Sequence, residues 1–444
     1  MKSIKIVLCI FLFSNLCYSQ TGWYQVSSGT DKSLLSVCFI NLNTGFTTGM
    51  SSTLLVTHNT GTTWSRIDLG DTIYTLRKIY FKDQLTGFIL AQSPLTGGFS
   101  FDSLYSRIYK TTNGGVNWFI AQSSIRDVFL NSIEFVNSGI GYMAGGLYSL
   151  GPNKFFKTTN SGNSWFEIPT EINGAIHAIK FTDVNNGVIA IMNKIYRTTN
   201  GGTNWAMVYE NTGTPESEFH LVEDIAFINA NTGFAAGGYY LDTLNKNRFV
   251  LKTTNAGENW NYLLNDNSGT MINSLTVVNE GLIYAGGSVN AFTDQNRGFI
   301  IRSTNGGATW SNESVPTTLP LTSIKNSNVK GFAVGIGGVI YKKDNIVSVT
   351  QISAIVPSSI NLYQNYPNPF NPETTIKFDV PKAEFISLKV YDITGKEMKN
   401  LFEGVKDAGS YQLKFDGTAM NSGIYFYRLT TGVNTITKAM VLIK

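Results

Sequence analysis

Residues Arg197 to Trp205 read RTTNGGTNW, and the phrase returns as KTTNGGVNW ending at Trp118, KTTNSGNSW at Trp165, KTTNAGENW at Trp260 and RSTNGGATW at Trp310. A frayed copy, VTHNTGTTW, ends at Trp64, so six of the 7 tryptophans close a copy and only Trp23 stands outside. Each copy follows an apolar, β-branched or aromatic run such as Ile195-Tyr196, Val250-Leu251 or Ile300-Ile301, which fits a strand. The Asn of TTN predicts a side-chain hydrogen bond to the backbone two residues on, and the Gly after it takes φ > 0 without a Cβ clash, so the chain reverses there. The Trp then opens the next strand as a structural anchor. Its ring is worth up to ~4–6 kcal/mol when buried, at ~25 cal/mol per Å².

A second phrase precedes each copy: an apolar strand, a polar turn, then Gly-aromatic and a strand of small residues. It reads CFINLNTGFTTG from Cys38, YFKDQLTGFILA from Tyr80, EFVNSGIGYMAGG from Glu134, KFTDVNNGVIA from Lys180, AFINANTGFAAGG from Ala226, VVNEGLIYAGG from Val277 and SIKNSNVKGFAVG from Ser323. Seven copies between Gly45 and Gly331 give a period of about 48 residues, the length of a four-stranded propeller blade. Strands A and B come from this phrase, C and D from the TTN turn and its Trp. The seventh unit, GFAVGIGGVIYKKDN, has no Trp after it, and TGWYQV at the start supplies the missing strand. Trp23 is thus expected in the last blade, where it closes the ring and removes an open sheet edge.

The prediction is an all-β chain: a seven-bladed β-propeller over residues 21–345, a linker over 346–362 and a small Ig-like β-sandwich over 363–444. The A-to-B and C-to-D turns, short and alike, share one face. The B-to-C and D-to-A loops share the other, with insertions at Gln92 to Ser106, Gly146 to Asn153, Gly238 to Asn247 and Gly287 to Arg297, and a long D-to-A loop at Glu210 to Glu223. Varied loops on a rigid ring are where binding is usually built.

At 444 residues, 42% hydrophobic and 14% charged, the chain is long enough for several cores and too apolar for disorder. Its start, MKSIKIVLCIFLFSNLCYSQ, reads as a secretory signal peptide over residues 1–20: Lys2 and Lys5, an apolar run from Ile6 to Phe13, then small and polar residues. A lipoprotein reading of Cys17 is disfavoured by the bulky Leu16 before it. No other segment is long and apolar enough to cross a bilayer as a helix. Removing the signal leaves 32 basic against 30 acidic side chains. A net charge near +2 predicts neither nucleic-acid binding nor membrane-surface adhesion. Cys9 and Cys17 leave with the signal, so Cys38 remains alone and no disulfide framework exists.

The phrase T-T-N-G-G-x-x-W resembles the Asp-box of sialidases and related propellers, with Asn in place of Asp. Together with the Gly-aromatic phrase it is most similar to the photosystem II assembly and stability factor family, a resemblance that implies a seven-bladed propeller that binds partners and is not an enzyme.

After Asn345 the composition shifts, with five of the 11 prolines between Pro357 and Pro381. YQNYPNPFNPETTIKFDVP leads into alternating strands at Ile386 to Tyr391, Tyr411 to Phe415, Ile424 to Thr430 and Ile436 to Ile443. This stretch resembles the C-terminal sorting domain of proteins exported by the type IX secretion system. The resemblance lies in Tyr366 to Pro372 (YPNPFNP, with Pro367, Asn368, Pro369 and Phe370), Thr375 to Phe378, the VYDITGK turn around Gly395, SGIYFYRL with Gly423 and Tyr425, and the ending KAMVLIK from Lys438 to Lys444. It implies that the outer-membrane translocon reads the domain and that a sortase usually removes it, leaving the cargo on the cell surface or released.

Chemistry is sparse. His58, His177 and His220 show no metal-ligand spacing, and no GxSxG elbow, phosphate-binding loop or CxxC occurs, so neither a metal nor a cofactor is expected. The basic residues before each TTN, Lys110, Lys157, Arg197, Lys252 and Arg302, form either a ring of positive charge or solvated outward positions of strand C. Arg107, Arg248 and Arg297 end B-to-C insertions and are candidates to clamp a carboxylate. Tyr105, Tyr148, Tyr239 and Tyr240, with Phe99, Phe101 and Phe292, offer a stacking surface for sugar or peptide. The expected partner is an extracellular protein or glycan. The competing reading is an Asp-box glycoside hydrolase, sialidase- or xyloglucanase-like, with Asp102, Asp242 and Asp294 as candidate carboxylates. Against it, no arginine motif precedes the first box, and xyloglucanase-type enzymes usually carry two propellers.

Overall fold

Among the described residues of the propeller, twenty-eight strands fall into seven four-stranded antiparallel sheets, and in six of them the strands follow one another in chain order, A to D. The computed structural model describes residues 22–93, 104–147, 153–211, 220–239, 247–266, 268, 270–289, 297–327, 330–344, 350–353, 356–417 and 420–444. The first sheet is built from Leu34–Phe39, Gly45–Gly49, Thr53–Thr57 and Ser65–Arg66. The seventh takes Leu321–Ser327, Lys330–Gly335 and Ile340–Lys343 from the end of the ring and Tyr24–Val26 from its beginning. Tyr24 stands opposite Lys342 and Val26 opposite Ile340, and the Tyr24 hydroxyl donates to Asp344 Oδ2 at 2.6 Å. Each A strand packs on the A strand of the next blade, and the seventh returns to the first, so the ring is closed.

The TTN turn is a small hydrogen-bonded cage. In the second blade Thr111 Oγ1 donates to Asn113 Oδ1 at 3.0 Å and accepts the N–H of Gly115 at 3.0 Å, while Asn113 Oδ1 accepts the N–H of Asn117 at 2.9 Å. The Asn therefore reaches four residues on, not two. Its amide oxygen performs the acceptor role that a carboxylate would, which explains why Asn is accepted. Thr158, Thr198, Thr253 and Ser303 repeat the arrangement. Two successive left-handed residues turn the chain, and the second must be glycine: a Cβ on Gly115 would lie 2.4 Å from the Phe46 ring.

That contact identifies how blades join. Phe46, from the Gly-aromatic phrase of the first blade, stacks on Phe81 of the second at 5.0 Å, and Trp118 meets both rings edge-on at 6.4 and 5.8 Å. Phe88, Phe135 and Trp165 repeat the trio one blade on, and Phe332, Phe39 and Trp64 make it across the closure. The tryptophan of one blade is thus a lid on the seam with its predecessor. Trp23 plays this part against Tyr284 at 6.1 Å. Trp23 and Trp260 are buried, whereas Trp64, Trp118, Trp165, Trp205 and Trp310 are half-buried, so the anchors vary in depth.

The C-terminal sandwich has two four-stranded sheets. One orders Thr350–Ser353, Gly409–Asp416, Glu373–Val380 and Asn361–Leu362; the other orders Glu397–Lys406, Glu384–Tyr391, Gly423–Thr430 and Thr435–Leu442. Alternation is clean, with Ile386, Leu388, Val390 and Tyr427 of one sheet facing Ile376, Phe378 and Leu413 of the other in one core. Two strands, at 350–353 and 361–362, fall inside the stretch expected to be linker. Backbone pairing to the neighbouring strands draws that Ser- and Pro-containing segment into the sandwich.

Candidate functional site

Each of the seven A strands carries a β-bulge at the same place, so one residue per blade loses its partner on strand B. These are Leu35, Arg77, Asn131, His177, Glu223, Asn273 and Thr322, and together they ring a central channel of about 450 Å³. A bulge re-aims a side chain, and repeating it sevenfold sets one layer of the channel wall. Asn131 and Asn273 donate to Ile176 O and Leu321 O of the following blades at 3.0 and 2.7 Å, and Thr322 donates to Leu34 O across the closure at 2.6 Å. The next layer is Ser36, Lys78, Ser132, Ala178, Asp224, Ser274 and Ser323. Ser36, Ser132 and Asp224 each accept the backbone N–H of the next blade, from Ile79, Ile179 and Leu275.

Charge in the channel is mixed and mostly paired. Lys180 binds Glu134 at 2.6 Å, Lys325 binds Asp224 at 3.2 Å, and His177 Nδ1 lies 3.7 Å from Glu223. Burial pushes the Asp224 carboxyl up, but Lys325, Lys78, the Leu275 N–H and the Ser274 hydroxyl outweigh it and hold it below the usual carboxylate range. A carboxyl whose folded pKa is depressed contributes stability that is present above its unfolded value, about pH 4, and lost as pH falls through the folded value. Asp224→Asn is therefore expected to flatten the decline of urea-melt stability between pH 5 and pH 3, and an unaltered decline would contradict the assignment. Cys38 also reaches the channel. Desolvation pushes its thiol up to about 11 despite Lys78 and Lys325.

The arginines expected to clamp a ligand are otherwise engaged in two cases of three. Arg107 lies over the Tyr74 ring at 4.2 Å and pairs with Asp71 at 3.1 Å, while Tyr105 and Tyr74 share a hydroxyl hydrogen bond of 2.7 Å. Arg248 forks onto Asp266, with Nε and Nη2 both 3.1 Å from a carboxylate oxygen, and covers Phe299 at 5.3 Å. Both clamp carboxylates of the protein itself. Arg297 is exposed at the start of Arg297–Ser303. Tyr148 and Tyr240 lie outside the described residues, as do the Tyr239 side chain and Phe99, Phe101, Phe292, Asp102, Asp242 and Asp294. The flanking strands place the four insertions, all B-to-C connections, on one face of the ring.

The basic residues before TTN are engaged by the protein itself, although only Lys110 is buried and the rest stay partly exposed. Lys110 is buried and donates to Ser161 O at 3.0 Å and Asn163 Oδ1 at 2.6 Å, both in the next blade's turn. Arg197 likewise donates to Ala256 O at 3.0 Å. Lys157 and Lys252 lie over Tyr142 and Phe234 at 5.3 and 5.6 Å, and Arg302 pairs with Glu313 at 3.2 Å. They are ties between and within blades. His58 is exposed beside Thr44 Oγ1 at 3.5 Å, and the His220 side chain lies outside the described residues. Among the described residues no three His, Cys, Asp or Glu side chains group as metal ligands, and no helix is long and apolar enough to cross a membrane.

In the C-terminal sandwich the proline-rich run is stitched to the last strand. Peptide bonds Tyr366-Pro367 and Asn368-Pro369 are cis. Asn365 accepts no slack: its N–H donates to the Tyr427 hydroxyl at 2.8 Å and its amide to Pro367 O and Thr374 Oγ1, both at 3.0 Å. Val441 N–H donates to Asn368 Oδ1, and Phe370 exchanges backbone bonds with Val441 O and the Ile443 N–H, each at 2.9 Å. The Phe370 ring is buried against Phe415. Tyr425 is buried with its hydroxyl on Asn421 O, and Gly395 takes φ 82° in a turn that Asp392 Oδ1 holds. Lys438 lies half-exposed on the last strand, and Lys444 ends the chain exposed, with its N–H on Ser422 Oγ.

Residues 364–444 match the family "Secretion system C-terminal sorting domain". This sorting domain directs the chain through type IX secretion to the cell surface or beyond it. No curated protein matches the chain. Among solved structures, "YCF48 bound to D1 peptide" is similar at 18% identity, with 74% of this chain and 96% of that one covered and a TM-score of 0.53. YCF48 from Cyanidioschyzon merolae gives 17%, 73%, 98% and 0.53. These likenesses show the propeller fold.

Proposed function

We propose that the propeller is a non-enzymatic binding module for an extracellular protein or glycan, made with a cleavable signal peptide at residues 1–20, carried across the outer membrane by the sorting domain and released from it by a sortase. The observation that carries this reading is the separation of the two faces. Six blades repeat the same short turn cage on one side, while the B-to-C connections grow from Met192-Asn193 in the fourth blade to insertions in four others. Length variation restricted to one face of a rigid ring is the pattern of a recognition surface. A YCF48 propeller of the same fold has been captured with a peptide, which supports a peptide segment as one class of ligand. Among the described candidates Arg297 is the one left exposed, since Arg107 and Arg248 are held by Asp71 and Asp266 and Tyr105 by Tyr74.

The test is a peptide and glycan array probed with the purified exported chain, followed by mass spectrometry of any hit. Binding with intact ligand is expected. Cleaved glycan would contradict the reading and direct attention to Asp102, Asp242 and Asp294.

A further inference from the structure

We propose that the central channel binds a small oxyanion, a short-chain carboxylate or inorganic phosphate, on an arc formed by Lys78 with Ser36 and Ser132 on the blades to either side. This site is separate from the variable face and does not rest on the reading of that face.

Three observations converge on the arc. Lys78 lines the channel, yet among the described residues no carboxylate oxygen lies within 4.0 Å of its Nζ and it has no hydrogen-bond partner. The other two channel lysines are paired, Lys180 with Glu134 and Lys325 with Asp224, so the acidic groups on their sides are already spent. A partly desolvated ammonium whose carboxylates, Asp224 and Glu134, act on it only from a distance carries a cost, and an anion in contact with it reduces that cost. Consistently, desolvation lowers the proton affinity of Lys78 although Asp224 acts the other way.

The serines supply the second observation. Ser36 and Ser132 are 3% and 6% exposed, and each hydroxyl accepts a backbone N–H from the following blade, at 3.3 Å from Ile79 and 3.1 Å from Ile179. Their protons have no protein acceptor among the described residues. With one lone pair used, the hydroxyl proton is left to donate. Hydroxyl donors on the two blades that flank that of Lys78, lining the same channel, make an acceptor-only guest the complementary one. The third observation is Arg77, the bulge residue beside Lys78, which spends one nitrogen on Gln92 Oε1 at 3.2 Å and keeps further donors. A channel of about 450 Å³ admits a small anion with its water.

The experiment is isothermal titration of the full exported chain with acetate, succinate and inorganic phosphate in low-chloride buffer. Saturable binding of at least one is expected, and the three arms separate carboxylate from phosphate recognition. Lys78→Met is expected to weaken that binding at least about 30-fold, the loss of a ~2 kcal/mol anchor. Should Lys78→Met fail to fold, the double variant Ser36→Ala with Ser132→Ala decides, because it keeps the charge and is expected to lose binding several-fold with Lys78→Arg retaining it. No saturable binding of any of the three, or full binding by the variants that fold, overturns the proposal.

Discussion

Replacing Trp23 with Ala is expected to lower the melting temperature of the propeller by roughly 6–20 °C, from a loss of about 3–5 kcal/mol at a conversion of ~2–4 °C per kcal/mol. Trp23 is 4% exposed and packs with Tyr284, Ile300, Leu321 and Tyr341, so its removal leaves a cavity on the seam between the sixth and seventh blades. Deleting residues 22–27 removes more, since Tyr24–Val26 is the outer strand of the seventh blade and its backbone pairing with Ile340–Lys343 fastens the start of the chain to the end of the ring. The edge Ile340–Lys343 then lies bare, and the ring loses its closure. Differential scanning calorimetry of the exported chain checks both. A propeller transition unmoved by the deletion would mean that the ring closes without its first strand.

Phe370→Ala is expected to unfold the sorting domain and abolish export while sparing the propeller. The ring is 2% exposed, and its backbone bridges the proline-rich run to the last strand through Val441 and Ile443. Losing about 3–5 kcal/mol from a domain of this size removes a large part of the 5–15 kcal/mol that holds such a unit together. Immunoblots of cell and medium fractions from a bacterium with type IX secretion should find the variant retained in the cells. Export at the unsubstituted level would show that the translocon reads the sequence without the fold.

The ring was legible because its joints are local. RTTNGGTNW declares a turn and a lid within nine residues, and seven copies of the Gly-aromatic phrase count the blades. The closing strand could be reasoned out from the one tryptophan left over. The channel was not legible in the same way. Its bulge residues Leu35, Arg77, Asn131, His177, Glu223, Asn273 and Thr322 share a backbone position and no chemistry, so no motif marks them. The one available signal was charge inside otherwise apolar inner strands, as at Lys78, Lys180 and Asp224. Lys110 and Arg197 misled for a related reason. A basic residue next to a surface turn looks solvated, and the carbonyls that hold these two belong to turns 51 and 59 residues further on. Arg248 shows the same limit, because Asp266 across the strand pair is invisible to a reading that follows the loop alone.

We place recognition in the B-to-C insertions. That placement is tested most directly by measuring the affinity of the best array ligand for a chain whose four insertions are each replaced by the two-residue connection Met192-Asn193 of the fourth blade. The account predicts an affinity at least about 30-fold weaker, the loss of one or more binding hot spots, with the propeller's melting transition preserved. Unchanged affinity in that folded variant would place recognition elsewhere on the ring and contradict the account.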